Sequence, residues 1–479
     1  MIQTLPHLPE FARRAAPALA VLLFAACAQL PELPAAPTLR SATDRAATAQ
    51  PEGPARDWPV DAWWQSYGDA QLARLIDEAL RDAPSLRVAE ARLLRAEANV
   101  GISHAASGPQ VTANVSASET KQSNNYLTPR SMLPQGWNDY GRTTLDFSWE
   151  LDFWGKNRAA VAAARGEREA AAAETAQARL LLTSSIAAGY AELARLFAAH
   201  DTAAAAVEVR SKTTTLFRER QANGLETLGS LRQAESRYAT AEGDLLEIDE
   251  QIALQRNRIA ALMGADPERS ATIARPAIRL DQAPGLPSQL ALNLLGRRPD
   301  VVAARLRAEA AAKRIDAARA EFYPDVNLSA FIGVQSLGLD KLFKSGSDMG
   351  SIGPAISLPI FTSGRLQAQY TGRRAEYDEA VASYDATVTQ ALHDVADAVT
   401  SQRALAGRIE RSRAAVATAE QAWQIARNRY DGGLSNYLDV LTAEDYLLAT
   451  QRGLSELQSR AFSLDVALVR ALGGGYHAS

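Results

Sequence analysis

Four short segments of the chain alternate apolar and polar residues with a period of two. Leu145, Phe147, Trp149, Leu151 and Phe153 alternate with Asp146, Ser148, Glu150 and Asp152. Val326, Leu328, Ala330, Ile332 and Val334 alternate with Asn327, Ser329, Phe331 and Gly333, and Ile352, Pro354, Ile356, Leu358 and Ile360 form a third row. Val111, Ala113, Val115 and Ala117, set between Thr112, Asn114, Ser116 and Ser118, form a weaker fourth. The pattern predicts strands near 109–119, 140–154, 324–335 and 350–361, arranged as two hairpins through Lys121–Asp139 and Ser336–Gly350. Such alternation fits a transmembrane β-barrel, and equally a small sheet with one face on a soluble core. Four strands cannot close a barrel and open edges do not survive in lipid, so a barrel would need several chains.

Between the hairpins the period changes. None of the 21 prolines falls between Gly155 and Asp266 or after Pro359. Both stretches are built from Ala, Leu, Glu, Gln and Arg, the strong helix formers. A helix over Gly155–Ala222 would run roughly 100 Å, several times the usual globular length. Apolar seams support rods that pack along their length. Leu454, Leu457, Ala461, Leu464, Leu468 and Ala471 make one; Leu245, Ile248, Ile252, Gln255, Ile259 and Leu262 make another with one polar member. Leu182, Ile186, Tyr190, Leu193 and Phe197 make a looser third. Spacing near 3.5 residues suits supercoiling helices as well as an ordinary bundle core. Asn223-Gly224 and Asp431-Gly432-Gly433 sit where each rod should stop and turn back, with tips near 223–229 and 432–438.

These landmarks occur twice in the same order. Trp154–Arg158 reads WGKNR and Phe361–Arg365 reads FTSGR; the turn after Arg220 is matched by the turn after Arg429. A spacing of about 210 residues is far longer than a solenoid repeat and marks an internal duplication. The reading divides the chain into a leader at 1–26, a segment at 27–57, a first repeat at 58–272 and a second at 273–479.

Composition adds limits. The 479 residues are 47% hydrophobic but only 6% aromatic, with alanine prominent, which suits close helix approach. A net charge of −4 argues against nucleic acid as a partner. Near the start, Arg13 and Arg14 precede the apolar run Ala16–Ala26, too short to span a bilayer, and then Cys27. This predicts a signal peptide ending in a lipobox, with Cys27 as the lipid attachment site carrying N-acyl and S-diacylglycerol groups. As the only cysteine, Cys27 has no disulfide partner within the chain. Pro31, Pro34, Pro37, Pro51 and Pro54 make 27–57 read as a flexible tether.

No HExxH, P-loop, Gly-x-Ser-x-Gly or Cys/His cluster is present, so the expectation is no catalytic site, metal or other cofactor. His7, His104, His200, His393 and His477 are scattered singly, and His393 with Asp394 and Asp397 reads as a solvated helix face.

Four ordered motifs carry a resemblance: Trp63–Leu80 (WWQSYGDAQLARLIDEAL), Arg297–Ala311 (RRPDVVAARLRAEAA), Ala318–Ala330 (ARAEFYPDVNLSA) and Tyr430–Leu441 (YDGGLSNYLDVL). Together they cover nearly all of 58–475, and the mature chain resembles outer-membrane efflux proteins of the TolC/OprM type, in the NodT-like lipoprotein branch. The resemblance implies a mainly α fold with a membrane β-barrel. Three chains would close twelve strands, and duplicated long helical hairpins would continue them as a hollow α-barrel across the periplasm. It implies a lipid-anchored outer-membrane exit duct that passively conducts small molecules such as drugs. Partners would be two further copies of the chain, outer-membrane lipid, a periplasmic adaptor and an inner-membrane transporter of the resistance-nodulation-division class. Asp146, Glu150 and Asp152 would then face the lumen, with Phe147, Trp149, Leu151, Leu328, Ile356 and Leu358 toward lipid. Tyr430 and Asp439 fall at positions that in relatives help close or line the periplasmic constriction, while Ser435 and Thr442 depart from the pattern of a salt-bridged lock. A periplasmic coiled-coil scaffold lipoprotein and a peptide or protein secretion duct are the alternatives.

Overall fold

The computed structural model describes residues 30–39, 57–123, 125, 130–277 and 296–477. Cys27, the leader and residues 40–56 of the tether lie outside the described residues. The segment at 30–39 has no regular secondary structure. It is nevertheless held: the Pro37 carbonyl accepts a hydrogen bond from the Tyr377 hydroxyl at 2.9 Å.

Four antiparallel strands form one sheet in chain order: β1 (Gln110–Thr120), β2 (Asn138–Glu150), β3 (Asp325–Leu337) and β4 (Asp348–Ser357). The register lines up Val111, Phe147, Ala330 and Ile352 across the sheet, and Thr112, Asp146, Phe331 and Ser351 in the next row. Because directly paired residues share a face, period-two sequences give the sheet one apolar and one mostly polar side. The apolar side is not covered within the chain. Val115, Leu145, Ile332, Ile352 and Ile356 are each more than half exposed.

Helices α1 (Ala70–Asp82) and α2 (Pro84–Ala106) lead into β1. Between β2 and β3 come α3 (Lys156–Ala222), α4 (Leu228–Met263), a one-turn helix at Pro267–Ser270, and α5 (Pro299–Ala320). After β4 follow α6 (Arg365–Asp431) and α7 (Tyr437–Ala471). The long rods α3 and α6 contain 67 residues each, about 100 Å of helix.

Both rods end in the same device. Gly224 and Gly433 adopt φ of 70° or thereabouts, 72° and 69°, a left-handed conformation that only glycine takes cheaply. The following residue closes the helix: Leu225 N donates to the Arg220 carbonyl, and Leu434 N to that of Arg429, both at 2.8 Å. The returning helices are capped by Thr227, accepting from Ser230 N at 3.1 Å, and Asn436, accepting from Asp439 N at 3.2 Å.

The chain packs as two compact units, one gathering 94–170 and 305–383 and the other 39–93, 171–304 and 384–479. The first holds the sheet and the helical segments adjoining it. Within the second, Trp63, Leu72, Ile76, Ile186, Tyr190, Ile259 and Phe462 belong to one buried cluster. Val301, Val388, Ala391, Val395, Leu468 and Leu472 belong to another, against which Leu39 packs partly buried. The polar member of the α4 seam has a specific partner: Gln255 donates to the Gly189 carbonyl on α3 at 2.8 Å, so a buried amide is satisfied.

Two expected boundaries shift. β2 ends at Glu150 and β4 at Ser357, which leaves Leu151, Asp152 and Leu358 beyond the strands. Asp152 is drawn off by the start of α3, where its carboxylate accepts from Arg158 N at 2.9 Å and satisfies an otherwise unpaired helix donor. It therefore lies outside the strand in which the alternation places it.

Candidate functional site

The sheet and the helical tips hold the site residues expected from the sequence within the described residues. On the polar face of the sheet, Asp146 accepts from Asn114 at 2.8 Å and from Thr144 at 2.7 Å, linking β1 to β2. Glu150 ends β2 in a 2.5 Å ion pair with Lys156. Arg142 lies 5.7 Å from the centre of the Phe331 ring on the same face. The expected acidic set therefore divides: Asp146 and Glu150 lie on the polar face, whereas Asp152 serves α3. The opposite face is mostly hydrocarbon along the middle of the strands, Thr143 excepted. Its lower end is aromatic, with the Trp149 indole donating to the Ser107 carbonyl at 3.1 Å and the Trp154 indole to the Pro324 carbonyl at 2.8 Å. Trp154 also stacks on Tyr323 at 4.8 Å. Apolar strands flanked by aromatic residues match the membrane-facing surface of a barrel.

At the tips, Tyr430 and Asp439 behave differently. Tyr430 is buried, its ring 5.0 Å from that of Tyr437 and covered by the Arg220 guanidinium at 5.4 Å. Burial pushes its hydroxyl above the usual tyrosine value. Asp439 is exposed in the first turn of α7, where negative charge suits the helix N-terminus. Among the described residues no side chain pairs with its carboxylate. Thr442 bonds back to the Leu438 carbonyl at 2.8 Å, and the Ser435 hydroxyl is buried without a partner among the described residues.

Sequence reasoning missed the ionic cluster above the tip. Arg210 on α3 reaches Asp445 on α7 at 2.8 Å, and Arg237 on α4 reaches the other oxygen of the same carboxylate at 2.9 Å. Glu444 is buried 3.6 Å from Arg210 Nε, beyond hydrogen-bonding distance. Its carboxyl is pushed up by burial, which outweighs the pull of Arg210. Nearer the tip, the Tyr437 hydroxyl meets Thr213 on α3 at 2.5 Å. The signal was available only as Glu-Asp next to a buried seam, which does not reveal the basic partners more than two hundred residues away.

Among the described residues, no helix is long and apolar enough to cross a membrane, and no group of three or more His, Cys, Asp or Glu could hold a metal ion. An uncovered apolar sheet face, a polar opposite face and long Ala-rich hairpins define an outer-membrane channel subunit. The sequence model for outer membrane efflux proteins matches residues 75–265 and again 290–474, and the chain belongs to that family. It is similar to the multidrug resistance outer membrane protein MdtQ of Escherichia coli O157:H7, at 32% identity over 465 residues, covering 95% of this chain and 96% of that protein. The crystal structure of the outer membrane protein VceC of Vibrio cholerae matches with a TM-score of 0.81 and 54% identity, covering 87% of this chain and all of that one. The open state of the Neisseria gonorrhoeae MtrE outer membrane channel matches with a TM-score of 0.79 and 26% identity, over 94% and 98% of the two chains. The protein is thus an efflux duct of the bacterial outer membrane that extends into the periplasm.

Proposed function

We propose that three copies join edge to edge, β4 of one to β1 of the next, and close a twelve-stranded barrel. The observation that carries this is the sheet itself: two unpaired outer edges and an exposed apolar face, neither of which is stable alone in water or lipid. The duplicated α3–α4 and α6–α7 hairpins continue the barrel as a periplasmic tube. The duct performs no chemistry. It passively conducts small molecules, drugs among them, delivered by an inner-membrane pump of the resistance-nodulation-division class through a periplasmic adaptor. Lipid on Cys27 adds a second anchor, and Tyr430 and Asp439 belong to the region that narrows the periplasmic end. The uncovered apolar face weighs against the scaffold alternative, since a capping sheet would bury that face on its own core.

The test is to purify the full chain, measure its mass in detergent, and record conductance after insertion into a planar bilayer. A trimer that needs detergent and passes current supports the reading. A monomer that stays soluble without detergent, or a trimer that carries no current, would overturn it.

A further inference from the structure

A groove of about 540 Å³ lies between α2, α3 and α5, just on the helical side of the sheet. His104 and Ser107 contribute from the end of α2, Arg165 and Glu169 from α3, and Lys313 from α5. Its charges are only partly answered by internal ion pairs. Lys313 pairs with Asp316 at 3.3 Å, Glu309 with Arg305 at 2.8 Å and Arg158 with Asp152 at 3.4 Å, so those three lining charges are already answered. Arg165 and Glu169 are not: among the described residues neither makes an ion pair or hydrogen bond. They stand one helical turn apart, the spacing at which opposite charges on a helix ordinarily meet, although Arg before Glu is the weaker order. Both are exposed. The groove thus presents one free cation and one free anion side by side.

What reaches it is set by Trp149. This residue lies in the same cross-strand row as Leu328 and Pro354, on the apolar face of the sheet, yet its indole donates to the carbonyl of Ser107, which lines the groove. Trp149 therefore joins the end of the apolar face to the edge of the groove. A molecule with acyl chains against Val111, Trp149 and Leu328 would place its polar end among Arg165, Lys313 and Glu169.

We propose that this groove binds the headgroup of a phospholipid of the periplasmic leaflet, specifically a zwitterionic one with a primary ammonium. The phosphate bonds to Arg165 with Lys313 beside it, and the ammonium donates to Glu169. An ethanolamine headgroup fits both charges. A glycerol headgroup leaves Glu169 unanswered, and a choline headgroup has no N–H to donate. The assignment rests on the reading that the sheet lies in lipid.

The experiment is native mass spectrometry of the full-length trimer released from nanodiscs holding phosphatidylethanolamine, phosphatidylglycerol and phosphatidylcholine in equal parts. Phosphatidylethanolamine should be retained in preference to the other two. Arg165→Gln should lower its retention about fivefold, with Arg165→Lys restoring most of it, as expected for losing and regaining one charge-assisted contact. Glu169→Gln should abolish the preference over phosphatidylglycerol while leaving total phospholipid retention. Both substitutions are on an exposed helix surface and keep a good helix former, so folding is preserved. Equal retention of all three lipids, or variants that behave as wild type, would overturn the site. Conductance of the same preparation separates the two levels: a conducting trimer without headgroup preference defeats only the groove, whereas a soluble, non-conducting protein defeats the membrane reading and the groove with it.

Discussion

Arg298 Nη1 lies 2.8 Å from the Asp394 carboxylate, joining the start of α5 to the middle of α6 across 96 residues of sequence. The rest of the guanidinium forks onto Asp300 at 3.0 and 2.6 Å. Burial pushes the Asp394 carboxyl up, but hydrogen bonds from Gln390 and Arg298 outweigh it and hold the group below the ordinary carboxylate range. A depressed carboxylate adds stability above its unfolded value, and that stability is lost as pH falls through its folded value. Arg298→Ala should cost about 3 kcal/mol, toward the low end for a broken buried pair because both acids are partly exposed. Apparent melting temperatures across an acid series should show a lower plateau and a flatter acid limb in the variant.

Glu444 carries the opposite sign. Its carboxyl is raised by burial, so its contribution is fully present below the unfolded value and declines as pH rises through the folded one. Glu444→Gln should therefore melt at or above wild type at neutral pH, with the difference shrinking below about pH 4. A variant clearly less stable than wild type at neutral pH would mean that the 3.6 Å approach of Arg210 outweighs desolvation.

The two sheet faces should differ in tolerance. Leu328→Arg should destabilise the barrel by about 2–4 kcal/mol near the bilayer midplane, and Ser329→Arg by much less. Urea titration of the protein refolded into vesicles measures both. Equal costs would favour a sheet that never meets lipid.

Asp439 would recur three times around one axis of a trimer, concentrating like charge. Asp439→Ala should weaken cation preference or block by divalent ions in single-channel records. If neither changes, the carboxylate does not line the narrow part of the pore.

Lipidation is read out by mass. Mature wild-type protein should carry acyl groups and Cys27→Ser should lack them, while both remain in the membrane because the closed barrel anchors more firmly than acyl chains. An unmodified wild-type mass would remove Cys27 as an anchor.

The elements governed by local pattern were legible in the sequence. The Pro-free, Ala-rich run beginning at Gly155 predicted the rod α3 to within one residue, and glycine placement predicted both turns. Period-two alternation located the strands, but not their ends, because Leu151, Asp152 and Leu358 continue the pattern after pairing or capping has changed the backbone. Long-range polar contacts were not legible. Asp394 looked like part of a solvated helix face until Arg298 was seen to reach it. Similarly, nothing local marks the Tyr67 hydroxyl as the donor to Asp465 at 2.7 Å, 398 residues away. The resemblance located Tyr430 and Asp439 on the tip, whereas only three-dimensional packing distinguishes the buried ring from the exposed carboxylate.

The glycines that follow α7 lie against parts of the chain far earlier in the sequence. A Cβ on Gly473 would fall 1.9 Å from the Arg297 carbonyl, and one on Gly475 would lie 2.4 Å from the backbone of Val60. Arg297 itself covers the Trp58 ring at 4.6 Å. Segments around Trp58–Val60, Arg297 and Gly473–Gly475, far apart in sequence, therefore meet at one junction. Any side chain at either position would have to push one of these backbones aside, so the junction is specified by the lack of a methyl group.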